Sequence, residues 1–165
     1  MDKFKKIVKE WLPYVVILIL VLVIKINVAS LIRVNGKSMN NTLKDGDIMV
    51  LDIIGYKTSK LERFDIAVVD NGKDYLIKRV IGLPNEEIEY KDNKLYINGK
   101  LVKDKYGNGN TKDFKIKVEK DSYFVMGDNR ENSLDSRYYG SFNKKKILGT
   151  TSFIIFPFNR FGNKK

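Results

Sequence analysis

The sequence predicts a mainly β protein, in which an antiparallel body of barrel or sandwich type carries a small inserted β lobe and follows one N-terminal transmembrane helix. Three observations predict this architecture. The chain opens with a basic stretch and an apolar run, the remainder alternates short β-type runs with turn residues, and one central stretch is unusually polar. With 165 residues, 43% of them apolar, the chain suits one folded domain rather than a disordered chain.

The N-terminal segment has the pattern of a membrane anchor. Residues 1–10 hold four lysines against two acids, and residues 11–32 form a largely apolar stretch of 22 residues. As a helix this stretch measures about 33 Å, enough to cross a hydrocarbon core of about 30 Å. Trp11 and Tyr14 suit one membrane interface, and Lys25 can extend its amine towards the other. The basic start predicts a cytoplasmic N-terminus and an extracytoplasmic body.

Two other interpretations of this segment stay open. A cleavable signal peptide also has a basic start and an apolar middle, and the small residues Ala29 and Ser30 resemble a cleavage site. The third interpretation is a buried core helix, although the segment lacks the polar stripe of a helix that packs on a core. We favour the membrane anchor.

After the anchor, short runs of β-type residues are separated by turn signals such as Asp45-Gly46 and Asn98-Gly99. The predicted strands cover residues 48–53, 66–70, 75–81, 87–90, 94–97, 114–118, 123–126 and 147–156. The most polar stretch lies within residues 83–120, which we predict to form the inserted lobe. Residues 33–82 and 121–165 then form the main β domain.

The composition excludes several kinds of chemistry. The chain has no cysteine and no histidine, which excludes disulfides, thiolate nucleophiles, Ser-His-Asp catalysis and histidine-bound zinc. A base that acts near neutral pH must therefore be Lys, Asp, Glu or Tyr. The net charge of +11 favours an anionic neighbour, either a membrane surface or nucleic acid.

Two adjacent cations lie within the predicted strand 75–81, whose faces are otherwise mostly apolar. Lys78 shares one face with Leu76 and Val80, and Arg79 lies on the other. One interpretation is that both side chains extend into solvent from an edge strand. The other is that Lys78 is buried, because loss of hydration lowers the pKa of an amine and makes it a usable general base.

Two polar segments offer partners for such a base. Ser38 follows Gly36, which permits a sharp turn, in a loop a few residues beyond the anchor. Residues 127–140 concentrate two arginines, three acids, two asparagines and two serines after an apolar strand. By spacing alone, both segments are also typical of ordinary surface loops.

The ordered motifs of the chain resemble those of bacterial type I signal peptidases. After the basic start and the apolar run come Gly-x-Ser-Met-x-x-Thr-Leu at 36–43, Gly-Asp at 46–47, Lys-Arg-Val-Ile-Gly-Leu-Pro at 78–84 and Gly-Asp-Asn-Arg-x-Asn-Ser-x-Asp-Ser-Arg at 127–137. The resemblance implies a monomeric, membrane-anchored serine protease with a Ser-Lys dyad, which removes signal peptides at the outer side of the cytoplasmic membrane. It implies secretory preproteins and membrane lipid as partners, no nucleic acid, and neither a metal nor a cofactor.

The resemblance also implies roles for single residues. Ser38 matches the nucleophile, Lys78 the general base and Ser133 a serine whose hydroxyl orients that lysine. The supporting residues are Asp135 and Arg137, which match a structural ion pair, together with Arg79, Asp128 and Arg130.

The proposed substrate would bind as an extended strand, with small residues before the cut in shallow apolar pockets. The candidate pocket residues are Ile32, Val34, Gly36 and Ile77. Some relatives have a serine that serves as an oxyanion donor at the position of Gly36, so here the donor is expected to be a backbone N–H, that of Ser38. Asn41 replaces a proline that is usual in the family, a difference that we expect to affect the rate of cleavage more than the assignment to the family.

Three other functions are compatible with parts of the sequence. A non-catalytic assembly factor for surface polymers would keep the scaffold and dispense with the dyad. A self-cleaving Ser-Lys repressor protease would need a DNA-binding module, whereas this chain begins with the apolar run. A basic nucleic-acid binder is supported by net charge alone.

Overall fold

The computed structural model describes residues 2–27 and 29–164, and in this part of the chain the fold is mainly β, as predicted. The strands are β1 (Ala29–Arg33), β2 (Ile48–Asp52), β3 (Ile66–Asp70), β4 (Tyr75–Gly82), β5 (Glu87–Lys91), β6 (Lys94–Ile97), β7 (Lys100–Val102), β8 (Phe114–Lys117), β9 (Ser122–Met126), β10 (Phe142–Asn143), β11 (Ile147–Phe156) and β12 (Gly162–Asn163). The helices are α1 (Asp2–Asn27), α2 (Ile53–Thr58) and α3 (Ser136–Tyr139), with 3₁₀ turns at Lys144–Lys146 and Phe158–Arg160. Each of the eight predicted strands overlaps an observed one.

The strands form two antiparallel sheets. The larger sheet has the order β1-β2-β11-β3-β4-β9-β10, and β12 adds to β11. Its two end strands do not pair with each other within the described residues, so the body is an open sheet rather than a closed barrel. Irregular register along β11, at three places in its pairing with β2 and β3, bends this sheet.

The smaller sheet, in the order β7-β6-β5-β8, lies entirely between residues 87 and 117, inside the predicted lobe 83–120. It packs through Ile88 and Leu95 against Ile81, Phe124 and Met126 of the larger sheet. The lobe therefore rests on the face of β4 and β9 opposite to the face that carries Lys78. This packing brings the lobe close to Arg79.

The N-terminal segment differs from the predicted boundaries. Helix α1 already begins at Asp2, within the segment predicted as a separate basic stretch, and contains Pro13. Residues 29–33 form β1, which pairs with β2 from Ala29 against Asp52 to Arg33 against Ile48, so the last four residues of the predicted anchor 11–32 belong to the sheet. Residue 28 of that anchor lies outside the described residues. A short apolar run fits a strand as well as a helix, which explains the error.

In the described part of the chain, no helix combines the length and the apolar character that crossing a membrane requires.

Candidate active site

Ser38 lies in a turn between β1 and β2. Gly36 in this turn has a φ of +88°, which favours glycine, and its backbone N–H donates to Asp45 Oδ1 at 2.8 Å. Met39, the next residue after Ser38, and Leu43, at the end of the turn, are 1% and 0% exposed and pack into the core. The turn is therefore fixed from within the core, while Ser38 itself stays half-buried at the surface.

Lys78 on β4 reaches Ser38 across 40 residues of sequence. Its Nζ lies 2.7 Å from Ser38 Oγ, at hydrogen-bond distance. Lys78 and Arg79 are 4% and 0% exposed, which excludes the interpretation that both extend into solvent. Lys78 lies opposite Ala67 of β3, on the face of β4 that also carries Val80 of the apolar core.

Burial is the largest influence on the amine, and it lowers the pKa of Lys78 from 10.5 to about 8. Asp135 and Asp128 raise this pKa, whereas Arg137 lowers it further. Because each of the two carboxylates is paired with an arginine, their pull on the lysine is offset and the effect of burial prevails. The uncharged form of this amine is therefore far more populated at pH 7 than that of an ordinary lysine.

Arg79 forms a buried network on the opposite face of β4. Its Nε and Nη2 donate to Asp128 at 2.8 and 2.7 Å, and both side chains are fully buried. Thr42 Oγ1, from the Ser38 turn, donates to the same carboxylate at 2.5 Å, and Arg79 Nη1 donates to the carbonyl of Phe64 at 2.7 Å. This network connects β4, the Ser38 turn and the segment that follows β9.

Asn129 holds the Ser38 turn from the other side. Its backbone N–H donates to the carbonyl of Ser38 at 3.0 Å, and its side-chain amide donates to the carbonyl of Lys37 at 3.2 Å. Neither Asn129 nor Thr42 is among the predicted site residues. Both belong to the motifs that carry the family resemblance, which is the signal that points to them.

Asp135 and Arg137 form a compact ion pair beside the dyad. The carboxylate accepts bonds from Arg137 Nε and Nη2 at 2.9 and 2.8 Å, and from the backbone N–H of Gly127 at 2.9 Å. Burial by itself would raise the pKa of Asp135, but these bonds and the charge of Arg137 hold that pKa below its usual value. Asp135 also caps the N-terminus of α3, so the pair is locked in place.

Ser133 lies beside the dyad, but it makes no hydrogen bond with Lys78 among the described residues. Its hydroxyl is buried and has no hydrogen-bond partner of standard geometry. A β carbon on Gly127 would lie 2.3 Å from Ser133 Oγ and 2.5 Å from the carbonyl oxygen of Ser38. Only glycine at this position allows the two serines to approach so closely, so Gly127 is a further site residue that the sequence analysis missed. The orienting role of Ser133 stays a prediction.

Arg130 faces the inserted lobe instead of the dyad. Its Nε donates to the carbonyl of Gly127 at 2.9 Å, and its guanidinium pairs with Asp104 at 2.5 Å and contacts the hydroxyl of Tyr90. Arg130 therefore joins the lobe to the segment that carries Asp128 and Asn129.

Two strand edges border the dyad. β1 is an end strand of the larger sheet, and β9 pairs with β4 only from Arg79 onwards. Of the described residues, none pairs with residues 75–78 of β4 on the β9 side. Both edges carry backbone groups that an extended peptide can pair with.

The four candidate pocket residues differ in their surroundings. Ile32 and Ile77 are half-buried and pack against the same core cluster, which leaves part of each side chain accessible. Val34 is 3% exposed and lies within that core. Gly36 is exposed, and Asp45 occupies its N–H. The backbone N–H of Ser38, in contrast, has no hydrogen-bond acceptor within the described part of the chain.

An antiparallel β body that holds a serine hydroxyl against a buried lysine has the layout of a serine hydrolase. Comparison with known proteins identifies the family within this class. The family model described as "Signal peptidase, peptidase S26" matches residues 8–156. The chain therefore belongs to the signal peptidase family, peptidase S26, which confirms the resemblance seen in the motifs.

Individual relatives agree with this family. The chain is 35% identical over 179 residues to signal peptidase IB of Staphylococcus aureus strain COL, which covers 95% of this chain and 94% of the relative. It is 37% identical over 175 residues to signal peptidase I of Bacillus amyloliquefaciens, covering 98% and 95%. The crystal structure of a signal peptidase I from Enterococcus faecalis V583 has a TM-score of 0.51 and 36% identity, and it covers 56% of this chain and 97% of its own.

Proposed function

We propose that this protein is a membrane-anchored endopeptidase that removes signal peptides from secretory preproteins, with Ser38 as nucleophile and Lys78 as general base. The observation that carries the proposal is the 2.7 Å contact between Ser38 Oγ and the buried amine of Lys78. With a pKa of about 8, about one amine in ten is neutral at pH 7. An unperturbed lysine would be neutral in fewer than about one molecule in a thousand at that pH.

The reaction follows from this geometry. Neutral Lys78 takes the proton of Ser38, whose oxygen attacks the scissile carbonyl and forms a tetrahedral intermediate. The free N–H of Ser38 can donate to the resulting oxyanion. The Lys78 ammonium then protonates the leaving amine, and a water molecule activated by neutral Lys78 releases the acyl group from Ser38.

The substrate is proposed to bind between the two free strand edges. Its residues before the cut would pair with β1 and with residues 75–78 of β4, both of which run towards the dyad. Ile32 and Ile77 are the partly exposed apolar side chains beside these edges, and they suit small residues of the substrate. Val34 is enclosed in the core cluster against which Ile32 and Ile77 pack, so it would support these side chains without contacting the substrate.

The supporting residues would keep the dyad in register. Arg79, Asp128 and Thr42 connect β4 to the Ser38 turn, and Asn129 binds the carbonyl of Ser38 itself. The negative charge of Asp135 raises the pKa of Lys78, and its ion pair with Arg137 offsets part of that effect. The role proposed for Arg137 is therefore to keep the amine readily deprotonated.

Membrane attachment is proposed from the N-terminal helix. In α1, Trp11, Leu12 and every residue of 14–21 are exposed, with fractions between 46% and 68%. A continuous exposed apolar surface of this kind needs a covering partner, and lipid is the partner that the basic flank favours. We propose a single pass with residues 1–10 in the cytoplasm and the β body outside. Protease added to intact spheroplasts should then digest the body and spare the N-terminus.

Cleavage of a synthetic signal-peptide substrate by the purified full-length protein in detergent tests the enzymatic proposal. Ser38→Ala and Lys78→Ala should each abolish cleavage. Ser141→Ala and Lys144→Ala are matched controls, because they remove the same two kinds of side chain from the same domain. The exposed Lys144 pairs with Asp121 instead of a serine. Full cleavage activity of Ser38→Ala would refute the proposed dyad mechanism, whereas no cleavage by the wild-type protein at any pH would favour the assembly factor.

A further inference from the structure

A short segment of the inserted lobe, residues 104–108, packs against the motif that supports the dyad. The N–H of Asn108 donates to the carbonyl of Asp128 at 2.7 Å, and the N–H of Arg130 donates to the carbonyl of Asn108 at 2.8 Å. The two segments thereby form a parallel bridge between Asn108 and Asn129. We refer to residues 104–108 as the strap.

The strap is itself held firmly at its first residue. Asp104 accepts bonds from Arg130 Nη2 at 2.5 Å and from the hydroxyl of Tyr90 at 2.7 Å. The backbone N–H groups of Tyr106 and Gly107 donate to the same carboxylate at 3.1 and 3.2 Å. The path of the strap is thus determined by contacts that do not involve Ser38 or Lys78.

Tyr106, in the middle of the strap, lies over the guanidinium of Arg79. Arg79 Cζ is 3.7 Å from the centre of the Tyr106 ring, within the range of a cation–π contact. The Phe64 ring lies 5.4 Å from the same tyrosine ring and supports it. The edges of the guanidinium bind Asp128, Thr42 and the carbonyl of Phe64, so the ring of Tyr106 covers one of the faces that these bonds leave free.

We propose that Tyr106 is a positioning residue for the Ser38–Lys78 dyad. By covering Arg79, the ring keeps water away from the guanidinium and holds it in the orientation in which it binds Asp128 and Thr42. Thr42 lies in the Ser38 turn, and Asp128 adjoins Asn129, which binds the carbonyl of Ser38. The inserted lobe thereby determines where the hydroxyl sits relative to the amine. The proposal rests on the proposed proteolytic function.

Removal of the ring should affect the chemical step and spare substrate binding. The Tyr106 ring contacts Arg79 and Phe64, and neither residue belongs to the strand edges proposed to bind substrate, which are β1 and residues 75–78 of β4. KM should therefore change little. A displacement of the hydroxyl by a fraction of an ångström to 1 Å should lower kcat by about 10- to 100-fold.

The experiment compares Tyr106→Ala, Tyr106→Phe and Tyr96→Ala in the full-length protein. Tyr96 is a half-buried tyrosine on β6 of the same lobe and belongs neither to the strap nor to the dyad network, so its truncation is the matched control for loss of lobe stability. kcat and KM are measured at a temperature at which circular dichroism shows every variant to be folded. We expect Tyr106→Ala to lose at least about tenfold in kcat at unchanged KM, Tyr106→Phe to retain wild-type kcat, and Tyr96→Ala to remain within about twofold of wild type.

The positioning role would be overturned by wild-type kcat in folded Tyr106→Ala, by an equal loss of kcat in Tyr96→Ala, or by a rise in KM that accounts for the whole effect. Loss of activity in Tyr106→Phe would also contradict it, because the hydroxyl would then matter instead of the ring. Wild-type protein and Ser38→Ala are assayed in parallel. If wild type does not cleave, the proposed function fails, whereas wild-type cleavage with an unaffected Tyr106→Ala overturns the positioning role alone.

Discussion

Replacing Lys78 with methionine should make the protein more stable at neutral pH while it abolishes cleavage. The lysine is 4% exposed, and burial lowers its pKa from 10.5 to about 8. Each pKa unit corresponds to about 1.4 kcal/mol, so keeping this amine protonated in the folded protein costs about 3 kcal/mol. Methionine has a similar apolar stem and no charge, and loss of the hydrogen bond to Ser38 offsets about 1 kcal/mol of the gain.

The net stabilisation of Lys78→Met should be about 2 kcal/mol at pH 7, or about 4–8 °C in Tm for a chain of this size. Its pH dependence has a definite sign. Between about pH 8 and 10.5 the unfolded chain binds the lysine proton more tightly than the folded one, so wild-type stability rises with pH in this window. The advantage of the variant is therefore full below about pH 8 and disappears as the pH approaches 10.5.

Thermal unfolding followed by circular dichroism, at pH 7 and at pH 10 in the same detergent, measures this effect. Lys100→Met, which removes an exposed lysine from β7, is the control for the general effect of losing a positive charge. The reasoning is refuted if Lys78→Met is no more stable than wild type at pH 7, or if its advantage is equally large at both pH values.

Three further predictions concern the same site. The kcat/KM of wild type should rise with pH and level off with an apparent pKa of about 8, and a profile that still rises steeply above pH 10 would contradict deprotonation of Lys78 as the controlling step. Arg79→Leu should reduce the free energy of unfolding by about 3–5 kcal/mol in urea titrations, because it leaves Asp128 buried and without its cation. The double variant Arg79→Leu/Asp128→Leu should lose clearly less stability than Arg79→Leu. Equal losses in the two variants would show that the unpaired carboxylate is not the cause. Gly127→Ala should lower kcat by at least about tenfold, because its methyl group would meet the carbonyl oxygen of Ser38 at 2.5 Å, and an unchanged kcat would show that the backbone there yields freely.

Much of the fold could be predicted from local pattern. Alternation of apolar residues and turn signals located eight strands, and the four strands of the second sheet lie within the polar residues 83–120. β1 was missed because Ala29–Arg33 continues an apolar run, and its assignment as a strand depends on pairing with β2. The very short β10 and β12 exist only through their partners β9 and β11.

The site was also predictable only in part. Because the chain has no histidine, lysine was the candidate base, and the motifs indicated the turn of Ser38 and the segment of Asp128. Tyr106 carried no such signal, because it lies in a loop of an inserted lobe and contacts Arg79 only after the two sheets have packed together.

The sequence by itself determined the family, the kinds of side chain available for chemistry and most of the strands, because these depend on residue identity and on spacing within a few positions. Only the tertiary structure decided that the hydroxyl of Ser38 and the amine of Lys78 lie 2.7 Å apart and that this amine has a pKa of about 8. The physical reason is that hydration is lost through neighbours from distant strands, such as Ala67 opposite the lysine, and no local pattern contains those neighbours.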